Sequence, residues 1–308
     1  MDGQAPHDDS TGARALIIIT PFFALGFLLF VLRMYTRITP VYKLNVSDYL
    51  ITIAVIAETI TYSLFAAAVT NGFGRHNYYI TPESSIAILK CLFGVMFTGL
   101  WVSTFARLSI AFLLLSFSPA RAWKMVLWFI IGFQAVTLVA SEIFQLLECR
   151  PVRAMWEPVA GAKCMPVQKA WVIGYVFVGA SMFSDLMLTI LPMFLVWNLS
   201  RSVVERFLVS VLMGLSLFAT IATALKIVYM KTFDITSPDV FRATMSLFLW
   251  CRMEECLIVA AASAPLLKAP VERALGRMGF PTFHNSGAAV DHGRGHGAEH
   301  HKKMVLDH

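Results

Sequence analysis

The sequence predicts an all-α bundle of seven membrane-spanning helices, and three observations carry that reading. Of the 308 residues, 57% are hydrophobic and only 14% charged, a balance far from that of a soluble globular domain. The apolar residues fall in long runs bounded by charge, Pro or Gly, each near the roughly 20 residues that cross a bilayer core of about 30 Å. None of the runs shows the ten-residue alternation of a membrane barrel, and in lipid a helix is then the structure that satisfies its own backbone amides.

In chain order the predicted spans are approximately Ala15–Leu32, Tyr49–Val69, Ser85–Ser116, Lys124–Leu147, Lys169–Trp197, Phe207–Met230 and Phe241–Leu267. Residues 1–14 form a short polar N-terminus with no basic stretch ahead of the first apolar run and no small-residue cleavage site that stands out, so the first span is expected to be an uncleaved anchor. Residues 15–267 are the transmembrane domain. Residues 268–308 are His/Gly-rich and too polar to fold, which predicts a disordered cytoplasmic tail; its histidines are irregularly spaced and no metal site is expected.

The orientation follows from the basic residues. With the N-terminus outside, the cytoplasmic loops hold Arg33, Arg37, Lys43, Arg121, Lys124, Arg201, Arg206, Lys268, Arg273 and Arg277, against a smaller set outside, and this bias favours N-outside and C-inside. Asn45 and Asn198 open Asn-x-Ser sequences in loops expected to be cytoplasmic, hence unglycosylated; a glycan on Asn45 would reverse the topology. The net charge of +6 belongs to these loop ends and the tail, so nucleic acid is excluded as a partner.

Five cysteines occur without a CxxC pair or a zinc-ligand spacing. Two of them bound the stretch "ECRPVRAMWEPVAGAKC", residues 148–164, in the outer loop between the fourth and fifth spans. A Cys149–Cys164 disulfide there would remove about 3 kcal/mol of unfolded-chain entropy, and Cys91, at the outer end of the third span, is the competing partner. The local pair is preferred because Pro151 and Pro158 already shape the short loop. Trp156 is the expected outer-loop anchor, at the membrane interface or over a cavity mouth.

The pattern Cys149-x-Pro151…Trp156-x-Pro158…Cys164 resembles the second outer loop of the fungal rhodopsin-like seven-transmembrane integral membrane proteins, a family that includes the satratoxin-cluster membrane protein type and pathogenicity-associated orphan receptors. "DYLITIAVIAE" from Asp48, "GFGRH" from Gly72, "RLSIAFLLLSF" from Arg107, "SDLMLTILPMFLVWNL" from Ser184 and "WCRMEECLIVAAASAP" from Trp250 are similar to further segments of the family, in order along about 220 residues. The resemblance implies the fold and a membrane location (endoplasmic reticulum or plasma membrane) and no single chemistry. The cysteine-rich outer domain and long tail of many receptor-like members have no counterpart here, which shifts the expectation towards the compact members found beside secondary-metabolite genes.

Ionisable residues at mid-bilayer cost several kcal/mol unless paired or hydrated, so each is a functional candidate. At 1.5 Å per residue, Glu58, Asp185, Arg252 and Glu254 fall in one mid-plane layer on three helices. Asp185 and Glu254 are the candidate acid and base, because buried carboxyls can hold or take protons near neutrality, and Glu58 and Arg252 are the candidate tuning groups. Arg252 and Glu255, three apart, are expected to form a local ion pair; Arg107 is expected to snorkel to the cytoplasmic surface, and Lys226 and Glu142 to pair near the outer ends of their helices.

The predicted seventh span contains no lysine for a retinal Schiff base, the third ends without an Asp/Glu-Arg-Tyr signature, and no HExxH, Gly-x-Ser-x-Gly or phosphate-binding loop occurs. No cofactor is expected, and coupling to a G protein is unsupported. The expected function is the handling of a lipophilic small molecule in fungal secondary metabolism, as an acid/base cyclase, isomerase or hydrolase embedded in the bilayer. The alternative is an orphan heptahelical sensor at the cell surface.

Overall fold

A computed structural model describes residues 10–39, 44–117, 121–197, 214, 217–218, 220–228 and 239–264, with side chains of the fifth helix described to Leu191. Its helices are α1 (Thr11–Ile38), α2 (Val46–Thr70), α3 (Pro82–Phe117), α4 (Arg121–Leu147), α5 (Val167–Trp197), a helical stretch over 220–228, here α6, and α7 (Val240–Ser263). Each of the first five begins two to four residues before its apolar run, where polar residues start helices. Ser10 accepts the Gly12 amide at 3.2 Å, the Asp48 carboxylate accepts the Asn45 amide at 2.9 Å, and α3 opens on Pro82, whose missing N–H is no loss in a first turn. The predicted tail, Asn198 and most of the predicted sixth span lie outside the described residues.

Five of the helices, α1 to α5, are long and apolar enough to cross a membrane. Large apolar side chains such as Ile17, Leu28, Ile56, Val136 and Val176 face outwards, as suits a surface whose solvent is hydrocarbon. Several polar and charged side chains, among them Arg33, Asp48, Glu58, Arg107 and Arg252, are turned inwards. The four ionisable residues of α7 keep it from reading as an ordinary span, and its packing explains how it carries them. It lies against α1, α2 and α3, and every residue from Arg252 to Ser263 is buried.

At one end of the bundle the "GFGRH" loop makes the seal. Gly72 and Gly74 sit at φ +104° and +92°, conformations that favour glycine. They let the loop turn back so that the Thr11 amide and hydroxyl both donate to the Gly74 carbonyl, at 3.1 and 3.0 Å. His76 Nδ1 then meets Asp239 Oδ2 at 2.8 Å, just ahead of α7, and Arg242 meets His76 Nε2 at 2.6 Å. The hydrogen bond with His76 holds the Asp239 carboxyl below the usual range.

At the opposite end Arg33 is wholly buried. Its Nε and Nη2 donate to Asp48 Oδ1 at 3.0 and 2.6 Å, Nη2 also to Ser47 Oγ at 2.8 Å, and Nη1 to the Ala262 carbonyl at 2.7 Å, in the last turn of α7. Ser47 and Ser109 each donate to the other's carbonyl at 2.8 Å, which adds α3 to the cluster. Arg33 is therefore an internal tie among α1, α2 and α7 and not one of the loop cations that the orientation argument counted.

Candidate functional site

Between the two ends, α7 presents Arg252, Glu254 and Glu255 to a network whose other members stand on α2, α3, α5 and α6. Arg107 of α3 donates from Nε to Asp185 Oδ1 at 2.8 Å and from Nη2 to Asp185 Oδ2 at 3.1 Å, a two-point grip on α5. The same Nη2 reaches Glu254 Oε1 at 2.9 Å, and Lys226 of α6 pairs with Glu254 Oε2. Arg252 pairs with Glu58 of α2 through Nη2 and with Glu255 through Nη1, and the Cys256 thiol donates to Glu58 Oε1 at 3.3 Å. Arg107, Asp185, Arg252, Glu58 and Glu254 are each 4% exposed or less.

Part of the network stands in one wall of a cavity of ≈ 300 Å³ lined by α3 to α7, within the size range of small-molecule sites. Val95, Met96 and Leu100 of α3, Leu138 and Phe144 of α4 and Phe177 of α5 make it largely apolar. Gln134, Thr137, Ser141 and Gln145 add a polar stripe, because their spacing of three and four places them on one face of α4. Lys226, Glu254 and Glu255 line the cavity; Asp185, Arg107, Glu58 and Arg252 do not.

The four site residues expected from sequence thus take different places. Glu254 faces the cavity. Asp185 shares its layer but stands behind it, holding Arg107, and so lies one residue removed from any ligand. Glu58 and Arg252 form a pair on the α2 side of α7. Three members lay outside that expectation. Arg107 is buried at 2% exposure instead of snorkelling, because Asp185 and Glu254 hold it about 15 Å inside the end of α3. Lys226 pairs with Glu254 and not with Glu142, and Glu255, expected only as the partner of Arg252, also faces the cavity.

The loop between α4 and α5 sits at the α4 end of this cavity. Cys149–Arg150 (β1) and Lys163–Cys164 (β2) pair as antiparallel strands with Cys149 opposite Cys164, and the disulfide joins them; Cys91 is free. Glu148 lines the cavity, and its carbonyl accepts the Met165 amide at 2.8 Å, so hairpin and cavity mouth share a residue. Burial holds the Glu148 carboxyl above its ordinary range. The loop is fastened to α3 by Lys90–Glu157 at 2.9 Å and by Trp156 against Phe93, ring centroids 5.4 Å apart. Trp156 is an anchor onto α3. Hydrogen bonds from Lys90 and Arg153 hold the Glu157 carboxyl below its usual range.

A bundle with an apolar exterior, a buried ion network and an internal cavity defines a polytopic membrane protein built around a small-molecule-sized space. The chain belongs to the fungal rhodopsin domain family, whose model matches residues 32–273. It is 28% identical over 202 residues to a polyenoic acids biosynthesis gene cluster protein of Metarhizium anisopliae, covering 63% of this chain and 53% of that protein, so this chain spans about half the length of that relative. It is 26% identical over 300 residues to Fugralins biosynthesis cluster protein 2 of Gibberella zeae, covering 91% of this chain and 72% of that one. No solved structure matches it.

Proposed function

We propose that the protein binds a lipophilic small molecule in the cavity lined by α3 to α7 and acts on it by acid/base catalysis, as a cyclase, isomerase or hydrolase of fungal secondary-metabolite biosynthesis. One observation carries the reading: an apolar cavity of ligand size ends on carboxyl and ammonium groups, Glu254, Glu255 and Lys226. In such a low-dielectric wall, a group that gives or takes a proton acts on a ligand without competition from bulk water. Glu254 is the working carboxylate, with Lys226 and Arg107 setting its charge and orientation and Asp185 positioning Arg107. The apolar wall suits a mostly hydrocarbon ligand, and the α4 stripe suits oxygen atoms along one edge of it. Both relatives carry the names of biosynthesis clusters, which supports the metabolic setting.

The orientation proposed is N-terminus outside or lumenal and C-terminus cytoplasmic, and the disulfide supports it, since such bonds persist on the oxidising side of a membrane. The test is deletion of the gene in its native host with profiling of extracted metabolites. Accumulation of an unrearranged precursor is expected, reversed by the wild-type gene and not by Glu254→Gln. An unchanged metabolite profile with altered surface sensing would replace the enzyme with the receptor alternative.

A further inference from the structure

The buried network does not balance. Arg107, Lys226 and Arg252 bring three positive charges to four carboxyl groups, Glu58, Asp185, Glu254 and Glu255. Among the described residues no other cation pairs with any of the four. An unmatched carboxylate deep in a bundle is strongly unfavourable, and it resolves by taking up a proton or a counter-ion.

The hydrogen bonds indicate which carboxyl is the odd one. Both oxygens of Asp185 accept from Arg107, and each oxygen of Glu254 faces a cation. Glu58 Oε1 accepts from both Arg252 and Cys256, the pattern of an ionised acceptor. Its Oε2 has no partner and is enclosed, with only a void of ≈ 10 Å³ among Phe22, Phe23, Phe27 and Val55 nearby, so a proton held there has no ligand to reach. Glu255 shares with Glu58 a single oxygen on Arg252, but of the two it is Glu255 that lines the cavity. Oε2 meets Arg252, while Oε1 turns towards α3 at Gly99, where an added Cβ would lie 2.4 Å from it, on the cavity wall.

We propose that Glu255 carries the network's extra proton on Oε1 and delivers it to a ligand in the cavity, which makes it the acid of the reaction proposed above; the inference rests on that reading. The groups that set its behaviour are Arg252, Glu254, Cys251 and Cys256 on α7, Glu58 on α2 and Lys226 on α6, with Arg107 of α3 and Asp185 of α5 one pair further. The step balances as proton transfer alone. The O–H bond of Glu255 breaks, a bond forms from the proton to a ligand oxygen or alkene carbon, and the new carboxylate stays beside Arg252. Loss of a different ligand proton to the same oxygen restores the acid, so the overall change is an isomerisation or cyclisation with no oxidant and no leaving group.

The test uses the full-length protein in lipid nanodiscs, followed by infrared difference spectroscopy across a pH titration without ligand. The expected result is a carboxylic-acid carbonyl band that disappears as pH rises, shifts in frequency in Glu255→Asp and stays in place in Glu58→Asp. A band that moves with Glu58→Asp, or no band at any pH, overturns the assignment. In the host, Glu255→Gln should cut product by roughly a hundredfold or more while the protein accumulates normally, because Gln keeps the neutral charge of the protonated acid. Normal product in Glu255→Gln, with Glu254→Gln still inactive, overturns proton delivery by Glu255 alone. Normal product in both variants and in the deletion strain is the distinct failure of the enzymatic reading.

Discussion

Two clusters of buried charge occupy this bundle, and they are built on opposite plans. Each guanidinium nitrogen of Arg33 finds an acceptor, and its cluster is closed by backbone, through the Ala262 carbonyl and the Ser47–Ser109 exchange. Around α7, three cations meet four carboxyls, and three of the side chains face a cavity. The first plan spends charge on fixing helices. The second leaves charge unfinished where a ligand can finish it, and so the location of a buried ion says less about its role than the completeness of its hydrogen bonds.

Breaking the closed cluster should give the largest effect. Asp48→Asn leaves Arg33 buried without its carboxylate, and a loss of about 3 to 5 kcal/mol is expected, read as a collapse of the thermal unfolding temperature in detergent; Arg33→Met combined with Asp48→Leu should recover most of it. Arg107→Ala strands Asp185 and Glu254 together and should destabilise by a similar amount. Arg107→Lys cannot reproduce the two-point grip and should fold with reduced product.

Removal of the disulfide by Cys149→Ser with Cys164→Ser should cost about 3 kcal/mol on the chain-entropy account, measured as a lower unfolding temperature without loss of the Arg33 cluster. Gly99→Ala sharpens the comparison most selectively. Its methyl group would displace Glu255 Oε1, so product should fall by roughly a hundredfold with little change in melting. The smallest effect belongs to the seal made by the "GFGRH" loop. The folded-state pKa of Asp239 lies below its unfolded value, so its contribution is present above the usual carboxylate range and is lost as pH falls through the depressed value. Asp239→Asn should flatten the acid limb of a melting-temperature profile.

The fold was legible because lipid imposes one rule on every span. Run length, helix type and the Cys149–Cys164 closure could all be read from residue order. The mid-plane layer was legible too, since depth follows from the rise per residue, and it brought Glu58, Asp185, Arg252 and Glu254 forward. What residue order does not contain is rotation about each helix axis and which helices are neighbours. That is why Asp185 was assigned a place beside Glu254 in the chemistry when Arg107 stands between them, and why Lys226 was matched with Glu142. Arg107 was within reach of the depth argument, since the predicted third span already ran to Ser116, nine residues beyond it; Glu255 was not, because its exposure to the cavity depends on the helices packed around α7.

The length of α3 has a mechanical consequence. Its 36 residues measure about 54 Å, against a hydrocarbon core of about 30 Å, and the surplus must appear as tilt, as projection into water, or as both. Lys90 and Phe93, which fasten the disulfide-closed hairpin, lie only two to three turns from its first residue. α3 therefore serves as a mast that carries the hairpin at a height set by the protein itself, so a thicker or thinner bilayer can slide along the outside of the bundle without shifting the roof of the cavity against its floor.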